Sequence, residues 1–286
     1  MNVLVVAALT LLELTRRRVL VVLVTITLVT VALSGWGLSA LWHASFGAHA
    51  AASPGEMRLA GSQELVLFLF MFSGVVVLTA VAAGAPAVAA EVEAGTLPAF
   101  LARPLGRWEV VLGKWLGLAA VLVPYIAATG ALELWVVLRV VGYRAPAPAA
   151  ALAALVAEGL AVMSLALLLG TRLSAMAAGV VAAAAFFVSW AAGVTGGVGE
   201  VLHNRDLVVG ATVAKLVMPS DGLWRSAVYH LEPPLALAAA TRTATGLAAD
   251  PFFVASDQPL AFYLWAAAWI AAVVALAVWS FRRREL

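Results

Sequence analysis

From Val19 to Trp42, and again from Leu65 to Ala90, no side chain carries a charge. A helix crosses the hydrocarbon layer of a bilayer in about 20 apolar residues. Runs of that length leave little choice of solvent: these segments belong in lipid. Composition agrees. Of 286 residues, 64% are hydrophobic and 11% charged, with a mean hydropathy of +1.04, whereas soluble domains are nearer half apolar and a quarter charged. The net charge of +2 is small and scattered, which does not suggest nucleic acid as a partner. With no cysteine, disulfides, thiolate metal sites and a cysteine nucleophile are excluded.

Six spans are expected, at 19–42, 65–90, 112–138, 147–171, 173–199 and 258–281. Within them Lys114 stands at the start of the third, Glu133 lies in its outer half, and Glu158 lies well inside the fourth. This predicts an all-α integral membrane protein with a single transmembrane domain over residues 1–286. Basic residues in short loops set the orientation. Arg16, Arg17 and Arg18 precede the first span, Arg282, Arg283 and Arg284 follow the last, and Arg103, Arg107, Lys114 and Arg172 fall on the same side. Both termini are therefore expected in the cytoplasm. The opposite face has only Arg58, Arg139 and Arg144 in short loops or at helix ends.

Residues 1–18 do not read as a signal peptide, because the positive charge follows the apolar run. Thr10, Glu13 and Arg17 fall at helical spacing on one face, which suits a helix lying in the membrane interface. The bland alternative extends the first span downward. On the outer side, 43–63 reads as a short Ala/Gly-rich loop. The 200–257 segment is long enough for structure of its own. "NRDLVVGATVAKLV" and "PSDGLWRSAVYHLEPP" read as short helices over the mouth of the bundle, the second capped by Ser220 or Asp221, ended by Pro233, and carrying an apolar stripe of Trp224, Val228 and Leu231.

The segment 91–111 is a polar insert between two apolar spans. Glu91 and Glu93 end the second span, Gly95 breaks it, Thr96 caps a short helix over Leu97–Ala102, and Pro104 stops that helix. A short helix pinned between two spans can pass force from a soluble partner into the membrane. The Gly113–Lys114 pair is not a phosphate loop. That motif needs a glycine five residues earlier and a Ser or Thr after it, and Trp108 and Trp115 stand there instead. Lys114 is expected to snorkel to the headgroups.

The run "EVEAGTLPAFLARPLGRWEVVLGK" resembles the signature of type-2 ABC transporter permeases, and within them the permeases of exporters serving nitrous oxide reductase maturation. The resemblance covers about 25 residues as motif and the rest as architecture. It implies the permease subunit of an exporter, not catalytic itself, in a bacterial or archaeal cell membrane. It implies dimerisation with a second, identical permease copy, and two copies of a cytoplasmic ABC ATPase that bind the ATP and Mg this chain does not bind. By the same resemblance, Glu91, Glu93, Gly95, Thr96, Pro104, Arg107, Gly113 and Lys114 match the ATPase-coupling region. Glu13 and Arg17 belong to an elbow helix, and Pro219, Asp221, Trp224 and Arg225 to an extracytoplasmic gate.

Two readings stand for Glu158. A carboxylate at mid-membrane faces protein or water, either in a translocation path or as a hydrogen-bonded tie between helices. Glu133 pairs, on the structural reading, with Arg139 or Arg144. Gly193, Gly196 and Gly197 give small residues that allow close helix approach, a candidate dimer contact. His43, His49, His203 and His230 all fall on the outer side without metal-ligand spacing, so no metal site is expected. Trp42, Trp108, Trp115, Tyr143 and Tyr263 read as interface anchors. An intramembrane enzyme lacks its constellation, since no G-x-S-x-G or H-E-x-x-H occurs. A non-transporting assembly or sensor subunit, coupled to an ATPase and bound to extracytoplasmic proteins, remains the alternative function.

Overall fold

The computed structural model describes residues 2–16, 19–46, 54–95, 106–233, 254 and 256–284. Among them it is built of helices: α1 Asn2–Arg16, α2 Val19–Phe46, α3 Pro54–Gly84, α4 Pro86–Glu93, α5 Arg107–Val140, α6 Pro148–Gly170, α7 Ala175–Val201, α8 Arg205–Val217, α9 Ser220–Leu231 and α10 Leu260–Arg282. Five stretches are long and apolar enough to cross a membrane: 61–93, 107–140, 148–170, 175–201 and 260–282. The expected first span falls within the 28-residue α2, whose described side chains include the shorter apolar run 24–40.

α3 and α4 form one bent rod. Pro86 sits at the first turn of α4. Having no N–H, it cannot return a bond to the Ala82 carbonyl, and the helix breaks there. The bend packs closely on α6: a Cβ on Gly84 would lie 2.7 Å from the Met163 carbonyl oxygen, and one on Gly170 2.5 Å from that of Ala85. α6 is the hub of the bundle, packed against α3, α5, α7, α9 and α10. Its buried face joins Leu155, Val162 and Met163 to Phe72 and Val76 of α3 and Leu122 and Ile126 of α5.

Large apolar side chains are exposed on the outer helices, such as Trp36 at 73%, Met176 at 82% and Leu260 at 73%. In water that surface is costly, about 25 cal/mol per Å²; in lipid it carries no such cost.

Two segments differ from the expected outline. Much of 43–63 is helical, because α2 runs on to Phe46 and α3 begins at Pro54. α9 does not lie over the bundle; it is sunk into it. Ser220, Asp221, Gly222, Leu223, Trp224, Ser226, Ala227, Val228 and Leu231 are all buried. Small residues make room: a Cβ on Gly222 would meet the Phe262 ring of α10 at 2.2 Å. The helix also begins differently, with Pro219 at its N-cap and no side-chain cap bond.

Candidate functional site

The described residues among those expected at the coupling region lie at the end of the bundle where α1 packs on α5 and α10 ends. Gly95, at φ +64, supplies the left-handed turn that ends the α3–α4 rod, the conformation glycine adopts at helix C-termini. Glu91 accepts from Lys114 Nζ at 2.5 Å, joining α4 to α5. Lys114 is buried, so its ammonium meets this carboxylate instead of the headgroups. Glu93 Oε1 accepts from the backbone N–H of Ala175, the first residue of α7, at 2.9 Å. A carboxylate there satisfies an orphan donor and sits at the positive end of the helix dipole.

Arg107, the first residue of α5, reaches the opposite kind of helix end. Its Nη1 donates to the carbonyls of Arg282 at 2.9 Å and Arg284 at 2.8 Å, at the C-terminus of α10. Arg172 Nε donates to Ser280 Oγ at 2.9 Å and its Nη2 to the Ser280 carbonyl at 2.8 Å. Arg284 in turn donates to the Thr171 carbonyl. Cations near the last carbonyls of a helix are favoured for the same reason that anions are favoured at its start. Both described flanks of the polar insert are thus tied to other helices: Glu93 to α7, Arg107 to α10. Thr96 and Pro104, with the expected short helix over 97–102, lie outside the described residues.

Gly113 serves a different neighbour. A Cβ there would lie 2.5 Å from Val6 Cβ, and one on Gly117 would lie 2.8 Å from the Ala7 carbonyl oxygen and Thr10 Cβ. The Gly113/Gly117 pair, four apart, is the seat of α1 on α5. Thr10 faces protein, not water: it is 8% exposed and its Oγ1 donates to the Val6 carbonyl at 2.9 Å. Leu4, Val5, Leu9 and Leu12 are exposed instead, and Glu13 is exposed on the same helix. Arg17 lies outside the described residues.

Glu158 is fully buried within the chain, and Ser73 Oγ of α3 lies 3.1 Å from both its oxygens. That contact ties α6 to α3, the geometry of the structural reading. Glu133 is 1% exposed, and the polar side chain that faces it is Ser34 of α2. Arg139 stacks over Trp135 at 5.2 Å instead of pairing with Glu133.

At the outer end, the small residues of α7 hold α8 and α9 of the same chain. A Cβ on Gly193 would lie 2.1 Å from Asp221 Oδ1, and one on Gly196 2.4 Å from Ala211 Cβ; Gly197 is also buried. Asp221 Oδ2 accepts from Arg225 Nε at 2.9 Å. Burial pushes the Asp221 carboxyl up from its ordinary value, and Arg225 and Lys215 oppose that. Trp224 packs edge-on to Phe70 of α3 at 5.6 Å, and Pro219 begins the helix. The far end of α9 is clasped by Tyr143 Oη, which donates to the Leu231 carbonyl at 2.5 Å. Tyr263 Oη donates to Asp257 at 2.6 Å and contacts Ser226. Trp115 donates to Ser164 Oγ at 2.9 Å. Trp115, Tyr143 and Tyr263 thus fasten helices to one another, while Trp108 stays 40% exposed; the side chain of Trp42 lies outside the described residues. Among the described residues no group of three or more His, Asp or Glu is placed to hold a metal.

Sequence reading missed three partners. Glu109 Oε2 accepts from the Gly106 N–H at 2.8 Å, an acid three residues past the cap, for which the sequence offers a signal. Ser73 and Ser280 carry no signal of their own; only the fold brings them to Glu158 and Arg172.

A chain with several membrane-spanning helices, its polar contacts concentrated at the bundle ends, is a multi-pass membrane protein. A family model matches residues 4–286, that of the ABC-2 family transporter proteins, and the chain belongs to that family. It is thereby a membrane component of an ABC transporter, a class that associates with an ABC ATPase. No curated protein matches the chain.

Proposed function

We propose that this chain is a six-span permease subunit, paired with a second copy, that couples ATP hydrolysis in a separate cytoplasmic ATPase to export across a bacterial or archaeal membrane. One observation carries the reading: both described flanks of the polar insert are bonded to helices other than those they continue. Glu93 caps α7, and Arg107 caps the end of α10. A push on residues 96–105 would then reach α7 and α10 as well as α4 and α5. α7 carries α8 and α9 at the far end through Gly193 and Gly196, so the same rod would move the outer gate helices, among them Pro219, Asp221, Trp224 and Arg225.

The dimer contact, on this reading, uses exposed apolar faces of the outer helices, since α9 and α8 already cover Gly193 and Gly196. On this reading Glu158 ties α6 to α3 through Ser73. The narrower likeness to exporters of nitrous oxide reductase maturation is supported by the 91–114 residues alone.

The test is ATPase stimulation by the purified permease with its ATPase, in lipid. Arg107→Met, which keeps the apolar stem and removes the donors, is expected to lower stimulation severalfold while the two subunits still co-purify. Unchanged stimulation would sink the coupling role. Stimulation without movement of any tested amphiphile would favour the assembly or sensor subunit.

A further inference from the structure

The end of α10 gathers cations, and most of them are already engaged. Arg107 donates to the carbonyls of Arg282 and Arg284, Arg172 to Ser280, and Arg284 to Thr171. Lys114 is engaged on Glu91. The side chains of Arg282 and Arg283 are not. Both residues are exposed, and among the described residues neither side chain has an ion pair or a hydrogen bond. What holds Arg283 is a ring: its guanidinium carbon lies 4.3 Å from the centroid of Trp279, one turn back on α10.

That ring is open to the outside. Trp279 is 52% exposed, and Leu276 on the same face 50%. The face belongs to a helix long and apolar enough to span a membrane, so its exposed side chains meet lipid. A cation is drawn to the face of a ring. Stacking uses the flat side of the guanidinium and leaves its N–H donors at the edge. Arg283 is thus held on the flank of the bundle, where a span meets the headgroups, with its donors unspent. The described acids of this end are occupied: Glu91 by Lys114, Glu93 by the Ala175 N–H and Glu109 by the Gly106 N–H.

We propose that this flank of α10 holds one anionic phospholipid of the leaflet on the terminal side. Its phosphate is taken by Arg283, with Arg282 beside it, and the upper methylenes of its chains cover Trp279 and Leu276. Two phosphate oxygens match the fork of a guanidinium. A net negative head is favoured over a zwitterion, because surplus cations attract the phosphate and no described carboxylate is left to receive an ammonium. A soluble protein could pair with the guanidinium, but it would leave Trp279 and Leu276 uncovered. The site requires neither ATP coupling nor transport.

The permease is purified in detergent and offered an equal mixture of phosphatidylglycerol, phosphatidylcholine and phosphatidylethanolamine with the same chains. Bound lipid is read by native mass spectrometry. The wild type is expected to keep phosphatidylglycerol about fivefold or more over either zwitterion, the ratio that about 1 kcal/mol per arginine near an anionic surface converts to. Arg283→Ala is expected to lose that preference; should it misfold, Arg283→Gln is read in its place. Trp279→Leu keeps an apolar side chain but frees the guanidinium, and is expected to weaken the preference severalfold. Arg139→Ala, which removes the lone arginine stacked on Trp135 at the other end, is expected to leave it intact. Equal retention of the three lipids by the wild type, or a preference that survives in folded Arg283→Ala, overturns the proposal. So does displacement of the lipid by soluble glycerol phosphate, which would assign the site to a free phosphate. If Arg283→Ala keeps the lipid but loses its ATPase or its second copy on co-purification, the surface belongs to that protein and the proposal fails. The lipid readout involves no ATPase, so its failure and the failure of the coupling role are separately visible.

Discussion

Glu158 shows how little a lone acid says from its position in the sequence. In a span it raised two readings, a path residue and a helix tie; the fold brings Ser73 to it and encloses it completely. No cation among the described residues offsets a charge there. Glu158→Gln keeps the shape and the Ser73 contact, so thermal unfolding in detergent is expected within about 1 kcal/mol of wild type. Glu158→Ala leaves a void and an orphaned hydroxyl, and is expected to cost about 2–4 kcal/mol. A severe loss with Gln and none with Ala would refute the tie. At the outer end, Gly193 and Asp221 are matched by contact. Gly193→Ala places a methyl on the carboxylate, an overpacking of the kind that costs about 1–3 kcal/mol. Asp221 also gives a pH dependence. Burial raises its carboxyl above the ordinary value near 4, so the folded seat binds the proton more readily than the unfolded chain does. Its contribution is present at low pH and falls as pH rises through the raised value. The unfolding temperature of wild type is expected to fall more steeply between pH 4 and 8 than that of Asp221→Asn; equal slopes would refute the contribution of Asp221.

Among the elements, the positions of five spans were legible because a nearly charge-free apolar run of about 20 residues has one use. One helix end marked by chemistry was legible too: Gly95 stops α4. The Asn204 cap of α8, which accepts from Asp206 and Leu207, is known from the fold alone. The depth of α9 was not legible. Its apolar stripe and its polar first turn suit a surface helix equally well, and only the packing of Gly193 and Gly222 shows the room it occupies. The seat of α1 was hidden for a similar reason. Gly113 reads as part of a Gly-Lys pair, while its partner in packing is Gly117, one turn on. The seat makes a prediction for the element as a whole. Gly117→Val drives a branched side chain into the Ala7 carbonyl and Thr10, and is expected to free α1. The measurement is limited proteolysis: cleavage within the first 16 residues should speed up about tenfold or more, with the rest of the bundle intact. Unchanged protection would mean that α1 is held elsewhere.

For the molecule as a whole, the arrangement is a set of rods joined at two ends. The terminal end carries the cationic clamps of Arg107 and Arg172 on the end of α10, and of Arg284 on the last carbonyl of α6. The other end carries α8 and α9, held by α7 and α10. Composition and charge bias sufficed to give the class and the expected orientation. They did not supply the connections between rods, which are backbone carbonyls and N–H groups that any residue carries. The central claim is that the terminal end faces a nucleotide-hydrolysing partner. The chain has no cysteine, so one introduced at Ala94, which is exposed beside the polar insert, is a clean probe. With the ATPase co-expressed, Ala94→Cys is expected to cross-link to it through a short bifunctional reagent and to resist a membrane-impermeant thiol reagent applied from outside the cell. Val209→Cys, exposed on α8 at the other end, is expected to do the reverse. Labelling of Ala94→Cys from outside, with no cross-link to the ATPase, would contradict the account.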